Sequence, residues 1–212
     1  MPPGASGGPL PGAPGGKSGG KGQLIAGLVV GVVVLILLCG GGVTAGIYIV
    51  RDGSDGGTSS VAIEGVVDYR TTQPEILTTQ HVAGDSNYAV KPPVGGDHDA
   101  VWQNCQGDVY ATKIDDGHAV HSLEHGAVWI TYRPDLTPDQ VDSLKARVTG
   151  KDYTFLSPYP GLESPISLQA WGYQLKVNDA DDERIDKFLE EYRITASIET
   201  GAPCSNGTTV AD

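Results

Sequence analysis

The sequence predicts an α+β protein in which a single folded domain follows an apolar segment near the N-terminus. An uncharged stretch, residues 24–50, lies early in the 212-residue chain. A short linker is followed by roughly 150 residues in which β-branched segments alternate with amphipathic ones. This length suits one domain with one core. Two of the three cysteines also lie in this C-terminal part, which is the number that one disulfide needs.

The N-terminal 50 residues divide into a tail and an apolar segment. Residues 1–23 are rich in Gly, Pro and Ser, and their only charges are Lys17 and Lys21, so we expect a disordered tail. Residues 24–50 contain no charged side chain, and a helix needs only ~20 apolar residues to cross the hydrocarbon layer. We therefore predict a transmembrane helix over 24–50, in contact with the lipid bilayer.

The charges on either side of this segment predict its orientation. Lys17 and Lys21 precede it and Arg51 follows it, so the positive-inside rule places the N-terminus in the cytoplasm. The C-terminal domain is then extracytoplasmic and held at the cell membrane by a single span. A signal peptide cleaved after Ala45 is the alternative interpretation of the same residues.

The chain beyond the apolar segment is strongly acidic. It contains 12 Lys and Arg residues and all 26 Asp and Glu residues. Such a domain repels phosphate backbones, so nucleic acid is excluded as a partner. Cations and basic protein surfaces are compatible with this charge, which also favours solubility.

Secondary structure follows from local patterns along the domain. Residues 51–60 predict a Gly/Ser/Asp linker, 61–200 the folded domain and 201–212 a tail. Within the domain we expect an extended segment over 61–69, mostly irregular backbone over 71–117, strands over 127–132 and 153–156, a turn over 157–165, one long or bent strand over 166–177 and an edge strand over 194–198.

Two helices are predicted by apolar stripes and capping residues. Thr137 is expected to cap the first, with Pro138 in its first turn, Gln140 completing a capping box and Gly150 ending it. The second spans 181–193 with Ile185, Phe188, Leu189 and Tyr192 on one face.

The element order predicts a small α+β sandwich with both helices on one face of the sheet. A ferredoxin-like topology is the first expectation and a thioredoxin-like topology the second. Cys105 and Cys204 are expected to form a disulfide, because a cysteine pair in an exported domain is commonly oxidised. The alternative is Cys105 as a thiolate ligand beside the histidines.

All five histidines lie between His81 and His125, which predicts a site for a transition metal. We expect His98, His121 and His125 to supply three nitrogens to zinc or copper, with His118 or His81 as the fourth donor and Glu124 as a possible neighbour of the ligands. The alternative is that the histidines only form hydrogen bonds within irregular loops.

The string His121-Ser122-Leu123-Glu124-His125 also matches an inverted zincin pattern, in which Glu124 would act as a general base. Gly126 follows at once and a strand follows Gly126, so we expect the two histidines on a turn at the edge of a sheet. A metal-dependent hydrolase is therefore disfavoured, and no catalytic residue is predicted.

Five strings occur in this order along the domain: Pro92 to His98, Trp102 with Cys105, Val120 to Tyr132, Pro158 to Ile166, and Ala170-Trp171-Gly172. Together they resemble the bacterial, largely actinobacterial, family called domain of unknown function 3105. The resemblance covers roughly residues 65–195 and implies a short cytoplasmic tail, one span and one exported domain. It implies no activity. From the residues we expect a non-enzymatic, metal-binding accessory module of a membrane complex, for example a respiratory one, or else a purely structural or interaction domain.

Overall fold

The computed structural model of the chain describes residues 62–84 and 86–211, together with two short segments in the N-terminal part. Those segments are strands β1 (Val32–Leu35) and β2 (Gly46–Ile49), which pair antiparallel. The rest of the predicted span 24–50, the tail 1–23 and the linker 51–60 lie outside the described residues, so the transmembrane helix stays a prediction. No helix within the described ranges combines the length and apolar character that crossing a membrane requires.

A six-stranded mixed sheet forms the centre of residues 62–211. Its strands are β3 (Val66–Asp68), β4 (Gln106–Val109), β5 (Val128–Tyr132), β6 (Thr154–Pro158), β7 (Ile166–Ala170) and β8 (Tyr173–Val177). Their order is β3-β8-β7-β5-β6-β4. Strands β4, β6 and β5 are parallel neighbours, whereas β7, β8 and β3 continue the sheet by antiparallel pairing.

Four α-helices accompany the sheet: α1 (Tyr69–Thr72), α2 (Asp116–Glu124), α3 (Pro138–Val148) and α4 (Arg184–Tyr192). A 3-10 turn, Pro74–Ile76, follows α1. Apolar residues of α3 and α4 share one buried cluster with Val128 and Ile130 of β5. Residues of α2 share a second buried cluster with Trp129, whose side chain points to the opposite face of β5. Helices therefore cover both faces of the sheet.

The predicted α+β class is confirmed, and both predicted helices lie on one face as expected. The ferredoxin-like topology is wrong, because it is antiparallel throughout its sheet and this sheet contains parallel pairs. Thr137 does precede the first turn of α3, but its side chain makes no capping hydrogen bond, so the expected capping box is not formed.

Three local predictions also differ from the structure. Residues 166–177 form a hairpin rather than one strand, because Gly172 adopts φ +77° between β7 and β8. Residues 194–198 form turns rather than an edge strand, and Ile194 has a positive φ of 71°. The residues before Gly126 form the nine-residue helix α2 instead of a turn, and that helix leads into β5, an interior strand.

The predicted disulfide between Cys105 and Cys204 is confirmed. It joins residues 99 positions apart, and the amide of Cys105 donates to the carbonyl of Cys204 at 3.0 Å. A thiolate role for Cys105 is therefore excluded in this oxidised form.

Candidate metal centre

Helix α2 begins and ends at residues whose local chemistry defines its bounds. The Asp115 carboxylate accepts hydrogen bonds from the amides of Gly117 and His118, which caps the first turn. At the other end Gly126 has φ +105°, and a Cβ there would lie 2.9 Å from that of Ser197. The last turn of α2 thus carries His121 and Glu124. At this C-terminal end the helix dipole favours a positive charge.

Four side chains converge at this helix end and form the inner cluster: His81, His98, His121 and Glu124. Their ligand atoms, one from each residue, all lie within 4.8 Å of one another. His81 and His98 meet in a short parallel bridge, in which the amide of Val82 donates to the His98 carbonyl at 2.8 Å. His98 is fully buried and His81 is exposed, so the cluster has one side open to solvent.

The three buried histidines share one hydrogen-bonding arrangement. Each places Nδ1 at 2.8 Å from a backbone carbonyl oxygen: His98 from Gly96, His121 from Asp99, and His125 from Pro203. A carbonyl oxygen only accepts, so Nδ1 carries the proton in each ring. The lone pair of a neutral ring is then on Nε2, which is how metal-binding histidines are commonly oriented.

The contact between His98 and Glu124 requires a positive charge between its two atoms. His98 Nε2 lies 2.9 Å from Glu124 Oε2, although their alignment does not satisfy hydrogen-bond geometry. With Nδ1 protonated, an Nε2 lone pair would face a carboxylate oxygen, and two electron-rich atoms at this distance repel each other. Either a proton or a metal ion bound to both atoms removes the repulsion.

The protonation of the cluster follows from its surroundings. Burial lowers the pKa of His121 to about 4, because desolvation disfavours the charged ring and His125 and His98 repel it. Burial also opposes charge on His98, but Glu124 and the Gly96 carbonyl stabilise the protonated ring and raise its pKa above the usual value. Burial acts to raise the pKa of Glu124, but His98 holds it below the usual value. At neutral pH His121 therefore presents a free lone pair.

A second set of ligand atoms, the outer cluster, consists of His121, His125 and Glu199. His125 Nε2 lies 3.5 Å from Glu199 Oε2, and the ring is buried while the Glu199 side chain is 60% exposed. His121 belongs to both clusters, and its ring centroid lies 4.7 Å from that of His125 and 4.9 Å from that of His81.

The C-terminal segment supplies the outer ligand. The Glu124 carbonyl accepts from the amides of Ile198 and Glu199 at 3.1 and 3.2 Å, so this segment closes the end of α2. Pro203, the acceptor for His125, directly precedes Cys204 of the disulfide. Glu199 was not predicted, because no local motif relates it to the histidines more than 70 positions earlier.

The structure separates the predicted ligands into groups. His98 and His121 lie in the inner cluster, and His125 lies in the outer one. His118 lies in neither, since its partly exposed ring is directed at Asp99, with Nε2 3.8 Å from Oδ1. Glu124, expected only as a neighbour, lies among the candidate ligands, as does His81, the alternative fourth donor.

Residues 81–206 match the family model described as Protein of unknown function (DUF3105). This chain belongs to the DUF3105 family. The matched part of the DUF3105 chain begins at His81 and extends beyond Cys204, so it includes both clusters and the disulfide. No curated protein sequence matches the chain, and neither does any solved structure.

Proposed function

We propose that the inner cluster of this DUF3105 domain binds one divalent transition-metal ion, zinc or copper(II), in a non-enzymatic accessory module attached to a membrane. The orientation of the buried histidines carries the proposal. His98 and His121 each donate Nδ1–H to a backbone carbonyl, which leaves Nε2 for a ligand, and the Glu124 carboxylate lies against one of these nitrogens.

The donor set suits these two ions. Three imidazoles and one carboxylate are typical of zinc and copper(II), whereas calcium and magnesium take oxygen ligands. Ligand atoms around a tetrahedral zinc ion lie about 3.3 Å apart, given zinc–nitrogen bonds of ~2.0 Å. The pair His98 Nε2 and Glu124 Oε2, 2.9 Å apart, is already close to this spacing, and the exposed His81 can move inward.

The two competing interpretations account for fewer observations. Histidines that serve only as hydrogen-bonding groups would use the carbonyl contacts but leave the convergence of the inner-cluster ligand atoms without a cause. A hydrolase would need Glu124 free to take a proton from water. In this geometry Glu124 is held against His98 and belongs to the ligand set.

Metal loading of the full-length chain tests the proposal directly. After removal of metal by a chelator and reloading with zinc or copper(II), we expect one tightly bound ion per chain by elemental analysis. The same preparation should retain its ion through gel filtration. Protein that emerges with no stoichiometric metal after both loadings would contradict the proposal.

The affinity should depend on pH in a direction set by His98. A metal ion must displace the proton that the raised pKa of His98 favours, whereas His121, with a pKa of about 4, needs no deprotonation near neutral pH. Displacement of one proton costs about tenfold in affinity per pH unit below that pKa. We expect the dissociation constant to rise at least roughly tenfold between pH 7.5 and 5.5, and an unchanged value would exclude His98 as a ligand.

Attachment to a membrane is proposed from the apolar residues 24–50, which contain no charge, and from the lysines before them. The domain is then extracytoplasmic, and its partner is a membrane complex, such as a respiratory one. The full-length chain should remain with membranes through an alkaline carbonate wash, whereas residues 51–212 expressed alone should not. Release of the full-length chain by the wash would refute the anchor.

The sheet supports the second of the two expected topologies. The order β4-β6-β5-β7-β8, with three parallel strands followed by an antiparallel hairpin, is that of a thioredoxin-like sheet. The domain lacks a Cys-x-x-Cys motif, and its two cysteines are bonded across 99 positions. The proposal therefore includes no disulfide-exchange activity.

A further inference from the structure

Two candidate ligand sets meet at a single histidine ring. His121 belongs both to the inner cluster and to the outer cluster, whose other members are His125 and Glu199. Because His121 Nδ1–H donates to the Asp99 carbonyl, only Nε2 is left as a ligand nitrogen. A neutral imidazole has one lone pair, so this nitrogen can bind only one ion at a time. The clusters are therefore alternative positions for one ion rather than two independent sites.

We propose that the outer cluster is a transfer position, through which the ion of the inner cluster enters and leaves by exchanging its other ligands while His121 remains bound. This inference rests on the proposed function of the inner cluster. The exchange involves no change in oxidation state: as bonds to His125 and Glu199 form, bonds to His81, His98 and Glu124 break.

Burial and charge support this path. Each cluster has one exposed member, His81 in the inner cluster and Glu199 in the outer one, where the side chain is 60% exposed. Of these two, Glu199 is the carboxylate, whose negative charge attracts a cation from solvent. The intervening ring of His125 is 3% exposed, and its Nδ1–H is fixed by the Pro203 carbonyl, which directs Nε2 toward Glu199. Each cluster contains one carboxylate, so the ion keeps the same formal charge balance in both positions.

The chemistry at the solvent-facing end indicates the source and destination of the ion. An exposed carboxylate next to a buried imidazole can pass a transition-metal ion to or from a carrier that offers similar ligands. The strongly acidic domain, with 26 Asp and Glu residues in the chain, raises the local concentration of cations at this surface. The partner at Glu199 is therefore a donor or acceptor of zinc or copper(II).

The test compares Glu199→Gln in two versions of the full-length chain, with copper(II) alone as the probe and affinity measured by competition with a chelator. In the otherwise unchanged chain, the ion rests in the inner cluster, so Glu199→Gln should change the dissociation constant by less than about twofold. In a chain carrying His81→Ala and Glu124→Gln, only two inner ligands remain. The ion should then move outward, and Glu199→Gln should weaken binding at least roughly tenfold, because one of the three outer ligands is lost.

Electron paramagnetic resonance gives a second readout. The copper spectrum should change from three bound nitrogens to two when the inner ligands are removed. Glu190→Gln, which removes the same charge from an exposed position on α4, is the matched control and should have no effect in either chain. If the doubly substituted chain does not keep its thermal transition, His81→Ala with Glu124→Leu, which also leaves only two inner ligands, replaces it.

The outcomes separate this inference from the proposed function. If the unchanged chain binds no stoichiometric copper, the proposed function itself fails. If it binds copper but Glu199→Gln has the same effect in both chains, or if the doubly substituted chain binds none, the transfer position is refuted. A tenfold loss from Glu199→Gln in the unchanged chain would make Glu199 a ligand of the resting site and would refute it as well.

Discussion

Replacing His121 with alanine should weaken metal binding about 100-fold. His121 is the one residue shared by both clusters, so its loss weakens the resting site and also removes the alternative position. Structural zinc sites bind with about 10–16 kcal/mol over four ligands, which corresponds to roughly 3 kcal/mol per ligand and a loss of about 100-fold in affinity. Titration of the full-length variant with zinc or copper(II), followed by elemental analysis, measures this loss.

His118→Ala is the matched control for this substitution. His118 lies on the same helix, three positions earlier, but its ring is directed at Asp99 and belongs to neither cluster. It should bind metal like the unchanged chain. Equal losses in the two variants would place the metal elsewhere, because only a site that includes His118 could explain them.

Removing the disulfide should have the largest effect on stability. The pair Cys105→Ser with Cys204→Ser opens a loop whose ends are 99 positions apart, and loop-closure entropy predicts a loss of about 4–5 kcal/mol. For a domain of roughly this size, this loss corresponds to a decrease in Tm of roughly 10–20 °C. Calorimetry of the metal-free protein measures the shift.

Cys39→Ser provides the comparison for the disulfide variant. Cys39 is the only other cysteine of the chain and lies outside the matched range 81–206, so its replacement should leave the thermal transition of the domain unchanged. If the double serine variant unfolded at the same temperature as the Cys39→Ser protein, the disulfide would contribute nothing to the stability of the folded state.

The elements that the sequence predicted well are those with a strong periodic signal. Helices α3 and α4 have one apolar face and one polar face, and β5 is a run of β-branched and aromatic residues. Helix α2 was missed because it is buried on nearly every side. Its residues 119–124 are all buried, including polar ones, so no alternation of apolar and polar positions indicates a helix.

The candidate site was predictable only where its residues are close in sequence. The histidine-rich window identified His98, His121 and His125, since their density alone was informative. Which nitrogen each ring presents depends on backbone carbonyls, and one of these belongs to Pro203, far along the chain. Glu199 reaches the site only because its segment closes the end of α2, and no sequence spacing encodes that contact.

The position of the disulfide gives the maturation of this protein an order. Pro203 and Glu199 both lie in the segment that Cys204 fixes to the body of the domain, and they complete the surroundings of His125. The inner cluster needs none of these residues. If the outer cluster is the transfer position that we propose, we expect a still reduced chain to offer an ion only the inner cluster. We then expect exchange of the ion only in the oxidised protein, in which the disulfide holds Pro203 and Glu199 beside His125.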